Sequence, residues 1–124
     1  MAAPNIVNVT SILGKTTYLT PSNTSANVLL ANAASSNKVF KINSIVAANI
    51  DGAADFSCTV GLNTAAAGSG TTFSIASTIT VPADATVVVL DKTSSLYLEE
   101  DKSIVVTSST ASKITYVISY EEIT

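Results

Sequence analysis

Glu99, Glu100 and Asp101 stand side by side in the stretch "LYLEEDKSIVV", Leu96 to Val106, in a chain whose Asp and Glu total nine in 124 residues. Carboxylates crowded this closely are the raw material of a cation site. Asp51 and Asp55, around the turn "DGAAD", are a second such group. Calcium takes roughly six to eight oxygen ligands, and neither stretch gathers that many. The lone cysteine, Cys58, has no histidine anywhere in the chain to draw off its proton. Thiolate zinc sets and Cys–His nucleophiles are therefore out of reach. Serines abound, but there is no G-x-S-x-G turn and no imidazole base. The glycine-rich piece "GLNTAAAGSG" lacks the Lys-Ser/Thr ending of a phosphate loop and opens no helix. The expectation is a protein that is not an enzyme, with no catalytic residues, no cofactor and no metal.

Composition points the same way. Charged residues are 12% of the chain, against about 25% in an ordinary soluble domain, while hydrophobic residues reach 47%. The surface must then be built largely from Ser, Thr, Asn and Ala. Such a surface resists association poorly, which favours a subunit packed among others, in the first place copies of itself. The net charge is −3, and all six cations are scattered lysines. Without Arg there is no bidentate fork for phosphate or guanine, so no nucleic-acid partner is expected. No apolar run is long enough to span a bilayer, and "MAAPNIVNVT" has neither the basic nor the long apolar part of a signal peptide, so no membrane partner is expected and assembly in a cytoplasm is. A single cysteine fits that compartment. The sequons at Asn8 and Asn23 read as coincidences of a Ser/Thr-rich chain.

The elements that must position these residues are strands. Helical periodicity is absent, and two-residue alternation runs almost throughout. "KVFKINSIVAANI" places Phe40, Ile42 and Val46 on one face and Lys41 and Asn43 on the other. After "DGAAD", Phe56, Cys58, Val60 and Leu62 alternate with Ser57, Thr59 and Gly61. "NTAAAGSG" reads as a solvated connection. In "TFSIASTITV", Phe73, Ile75, Ile79 and Val81 are in phase, and Pro82 ends the run. "TVVVLD", "SLYLEE", "KSIVVTSS" and "KITYVISYEE" follow, the last with Ile114, Tyr116, Ile118 and Tyr120 on one side. Weaker strands are read in "NIVNVTSIL", "KTTYLT" and "NVLLAN". About eight to ten short strands argue for an all-β fold, an antiparallel β-sandwich of jelly-roll type, with an immunoglobulin-like sandwich as the alternative. Residues 1–14 form an N-terminal strand or arm, able to add to its own sheet or to a neighbour's edge, and 15–124 a single sandwich domain. Asn5, Ile6 and Val7 in the arm, with Tyr97, which is out of phase with Leu96 and Leu98, are the candidate subunit contacts. A sugar-binding face would want exposed aromatic rings; the chain has no Trp and four Tyr, two of them, Tyr116 and Tyr120, in the core phase.

The block from Ile79 to Ile123, "ITVPADATVVVLDKTSSLYLEEDKSIVVTSSTASKITYVISYEEI", resembles small virion structural proteins of tailed bacteriophages, in particular T4-like phages of cyanobacteria. The opening "APNIVNVTSILGKT" and the central "KVFKINSIVAANIDG" share the likeness, so it extends over nearly the whole chain. Its motifs are strand and turn patterns without a catalytic signature. The resemblance implies a β-sandwich present in many copies on the virion. In this role it would be a capsid decoration or cement protein, a homo-oligomer such as a trimer, bound to the major capsid protein. Neck, tail or fibre component is the structural alternative, and a glycan-binding attachment module the alternative from another class. Within this scheme "EEDK" reads as the solvated tip of a hairpin between two strands, its like charges tolerable in water and costly if buried.

Overall fold

Val, Ile, Thr and Tyr fill the alternating segments, and branched or aromatic side chains on alternate residues favour extended, half-buried backbone. The computed structural model describes residues 5–124 and forms strands wherever that pattern holds: β1 (Ile12–Leu19), β2 (Asn27–Asn32), β3 (Val39–Asn49), β4 (Phe56–Asn63), β5 (Thr72–Val81), β6 (Thr86–Leu90), β7 (Leu96–Leu98), β8 (Lys102–Ser108) and β9 (Ile114–Ile123). A 3-10 turn, Lys92–Ser94, separates β6 from β7. Asp91 starts it by accepting the Thr93 and Ser94 amides, each at 3.1 Å. No helix among the described residues is long and apolar enough to cross a membrane.

All pairings are antiparallel. The front sheet runs β1-β9-β3-β6, with β7 also on β3, and the back sheet runs β2-β8-β4-β5. Strands β6 and β7 lie along the same partner, β6 against Ile45 to Ala48 and β7 against Phe40 to Ile42, so they act as one interrupted strand. The chain is thus a set of nested pairs, β4 with β5 innermost, then β3 with β6 and β7, β2 with β8, and β1 with β9 outermost. Rolling such a ribbon into two facing sheets produces a jelly roll, the sandwich type expected. The inner faces meet in one core whose fully buried members include Tyr116, Ile42, Ile45, Leu98, Ile104, Ile118 and Val60.

Several details depart from simple alternation. Register shifts in β3 between Ile42, opposite Tyr120, and Ser44, opposite Ser119, leaving Asn43 as an extra residue. A bulge reverses the phase beyond it. Ile45 and Ala47 therefore carry the core onward, and Val46, expected inside with Phe40 and Ile42, faces out. Phe73 was expected inside as well and is 62% exposed, because β5 is an edge strand with two register shifts against β4. "EEDK" is not a hairpin tip. It joins β7 in the front sheet to β8 in the back sheet, so it turns a corner of the sandwich. At the N-terminus, Asn5 to Ser11 are turn and coil, and the first strand begins at Ile12 and runs past residue 14. Residues 1–4 of the expected arm lie outside the described residues.

Candidate interaction faces

The residues whose types invite chemistry serve the loops. Glu100 accepts the Asn37 amide at 3.1 Å, and Asp101, at a left-handed φ of 57°, donates its own amide to the Asn32 carbonyl at 2.8 Å. Asp51 accepts the Ala53 amide at 2.8 Å, and Asp55 the Ala83 amide at 3.0 Å. Glu100, Asp51 and Asp55 thus each satisfy a backbone donor that a turn leaves free. Among the described residues no three Cys, Asp or Glu side chains converge as metal ligands. Cys58 lies in the core beside Tyr116, and burial pushes its thiol up, away from the thiolate a nucleophile requires.

Three buried asparagines, which alternation alone does not single out, fix the sandwich ends. Asn32, Asn49 and Asn63 each terminate a strand. Asn32 donates to the Lys38 and Leu98 carbonyls at 2.9 and 3.0 Å and accepts the Ser36 hydroxyl. Asn49 donates to the Ala54 and Val81 carbonyls, both at 2.9 Å, and accepts the Asp51 amide. Asn63 gathers the Gly68 and Gly70 carbonyls, the Thr72 hydroxyl and the Ala65 and Gly70 amides. A side-chain amide does this well because it is both donor and acceptor. The legible signal would have been an Asn at the end of an apolar run just ahead of a turn, as in "LLANAAS", "AANIDGA" and "GLNTAAA".

Glu122 is the other buried polar group with a network. Lying in phase with Tyr116, Ile118 and Tyr120, it is 7% exposed. Lys38 and Lys15 each reach it at 3.0 Å. Their hydrogen bonds, that of Lys38 first, hold its carboxyl below the usual carboxylate range despite burial. The same bond raises Lys15.

Each sheet also turns an outer face to its surroundings. Across the front sheet, Tyr18 lies opposite Val117, Val117 opposite Val46, and Val46 opposite Val88, so one row of apolar side chains crosses four strands. Its ends are the most open, Tyr18 at 74% and Val88 at 59%. The next row on one side is Thr20, Thr115, Ala48 and Thr86, with a 2.8 Å hydroxyl contact between Thr20 and Thr115. On the other side come Thr16, Ser119 and Ser44. Within the paired strands formal charge enters at the row of Gly14, Glu121, Lys41 and Tyr97, and past Thr115 comes Lys113, 3.8 Å from Asp51. Of the expected contact residues, Tyr97 stands on this face, half exposed. Asn5, Ile6 and Val7 precede β1, in a turn where the Asn5 side chain accepts the Val7 amide at 3.0 Å, with Ile6 and Val7 exposed.

The back sheet is different. The 64–71 loop, expected to be solvated, folds onto it: Ser103 donates to the Ala65 carbonyl at 2.7 Å, and Gly68 sits against Val28 and Val105. Beyond that loop lies a shallow depression of about 260 Å³ lined by Thr24, Ser57, Thr59, Thr78, Thr107 and Ser109, with Cys58 and Ser108 at its floor. It carries hydroxyls, with no charge and no aromatic ring among its lining residues. The front face is therefore the candidate for contact with another macromolecule: uncharged over most of its area and apolar at its centre. No protein-family model matches this sequence, and no curated protein matches it.

Proposed function

We propose that this chain is a non-enzymatic structural subunit of a phage virion, a capsid decoration or cement protein that docks through the outer face of its front sheet. The observation that carries the reading is the row Tyr18, Val117, Val46 and Val88, exposed at both ends and bordered by small hydroxyl residues. A desolvated aromatic and aliphatic centre with a neutral polar rim is how stable protein interfaces are composed. The low charge of the chain and its likeness to small virion proteins support the same reading. On a repeating shell, each copy would add a modest contact and the array would hold the lattice in register.

The test is to add purified protein to capsids lacking it and to follow shell melting. A cement raises the melting temperature, and a Tyr18→Ser, Val88→Ser double variant loses most of that effect while keeping its own fold. No change in shell melting with bound wild-type protein would overturn the assignment. Copy number scaling with the capsid lattice separates a head protein from a neck, tail or fibre component. Competable binding on a glycan array, without capsid stabilisation, would favour an attachment module instead.

A further inference from the structure

Among the described residues the two sheets leave four free edges, β1 and β6 with β7 in front, β2 and β5 behind. Three of them carry features that blunt pairing with another chain. The β6 and β7 edge is broken by the Lys92–Ser94 turn. Strand β2 is short and shifts register between Val28 and Leu30. Strand β5 shifts twice and contains Thr78 at a left-handed φ of 50°. Strand β1 has no break, register shift or left-handed residue, and its one edge charge, Lys15, is held by Glu122 at 3.0 Å. It pairs with β9 over eight consecutive residues without a shift, contains no proline and, among the described residues, pairs with no other strand. It also exposes Ile12, Leu13 and Tyr18.

We propose that two copies of this chain join edge to edge through β1, antiparallel about a two-fold axis at Thr16. The backbone sets the parity. Ser11 exchanges both of its backbone hydrogen bonds with Thr124, so odd residues of β1 bond β9 and the amides and carbonyls of Ile12, Gly14, Thr16 and Tyr18 point to the open edge. Opposite residues in an antiparallel pair share a face, so even must meet even. Among such registers, the one centred on Lys15 sets two ammonium groups against each other. Centring on Thr16 instead places Thr16 against Thr16, Lys15 against Thr17, and Leu13 against Leu19 of the second copy. It also lays each Tyr18 beside the other copy's Gly14. Nothing lies within 4 Å of where a Cβ on Gly14 would stand, so the space above it is open to a ring. An aromatic side chain over a cross-strand glycine is a known stabiliser of sheets. A closed trimer would need β1 to meet one of the blunted edges, and the two-fold pairing avoids them. This inference does not rest on the chain being a virion protein.

The full-length protein is expected to sediment as a dimer. Thr16→Lys, which sets two cations together at the axis, should weaken that dimer by tenfold or more, an effect that shrinks in salt, with unchanged circular dichroism. Under copper–phenanthroline oxidation Thr16→Cys should crosslink to itself, its Cα atoms about 5.5 Å apart across the axis. Gly14→Cys and Tyr18→Cys should not, since each lies about 14 Å along the strand from its own copy, beyond disulfide reach. Native Cys58 is buried and serves as the background. A monomer at every concentration overturns the proposal, as does a dimer indifferent to Thr16→Lys with no crosslink at position 16. Crosslinking at Gly14 or Tyr18 in place of Thr16 overturns the register.

Discussion

Asn49→Ala tests whether the strand-end asparagines hold the two sheets together. Asn49 is 2% exposed and makes three hydrogen bonds, to the Ala54 and Val81 carbonyls and from the Asp51 amide, each at 2.9 Å. The Val81 bond matters most, because it crosses from β3 in front to the end of β5 behind, and Val81 is fully buried. Ala54 and Asp51 are nearer the surface and can take up water when the side chain is gone. Counting about 0.5 kcal/mol for each of these two bonds and about 2 kcal/mol for the stranded Val81 carbonyl, the loss comes to about 3 kcal/mol. In a chain of this length that lowers Tm by about 10 °C. Urea unfolding followed by tyrosine fluorescence measures it, with exposed Asn8→Ala as the control, expected to move stability by less than about 0.5 kcal/mol. A loss below about 1 kcal/mol for Asn49→Ala at unchanged m-value would refute the view that this amide ties the sheets.

Three further perturbations follow from other parts of the fold. Tyr116→Phe removes the 2.7 Å contact with the Ser108 hydroxyl inside a fully buried site, and equilibrium unfolding should register a loss of about 1–2 kcal/mol. Because Glu122 is held below its ordinary pKa in the fold, it contributes stability above that ordinary value, and the contribution disappears as pH falls through the lowered one. The wild type should therefore lose more stability than Glu122→Gln between about pH 6 and pH 3, and parallel curves would contradict the assigned role of Lys38 and Lys15. Gly68→Ala should cost more than about 1–2 kcal/mol, the share of its left-handed backbone (φ 76°), because an added Cβ also meets a Val28 methyl at 2.9 Å; a loss no larger than the backbone share would mean the 64–71 loop does not rest on the back sheet.

Much of the fold was legible because alternation in the inner strands is a direct record of burial. Phe56, Cys58, Val60 and Leu62 all line or touch the core, as do Ile114, Tyr116, Ile118 and Tyr120, in the phase their spacing dictates. Leu98, Ile104 and Val106 do so as well, on either side of the carboxylates that separate them. What alternation does not carry is which sheet a strand joins. The Glu99 to Asp101 turn looks the same in sequence whether it closes a hairpin or rounds a corner, and only the partners of β7 and β8 distinguish the two.

The candidate contact face was less legible, and the cause is specific. Reading Phe40, Ile42 and Val46 as one face assumes an unbroken period of two, and the extra residue Asn43 breaks it. Ahead of the bulge the even positions face the core; beyond it the odd positions do, which turns Val46 outward into line with Val117 and Val88. A second shift, between the pairs Ile45 with Leu90 and Val46 with Val88, keeps Leu90 inside and Val88 outside. Val46 therefore contributes to the outer row only because a bulge re-aims it, and a bulge has no strong sequence mark when the inserted residue is a common polar one. Deleting Asn43 would close the bulge and leave the phase on both sides of it unchanged, Ile45 inward and Val46 outward, because Asn43 is itself the residue that offsets the count. With Asn43 in place, the residues that make the outer face apolar and those that fill the core are thus set by the same bulge.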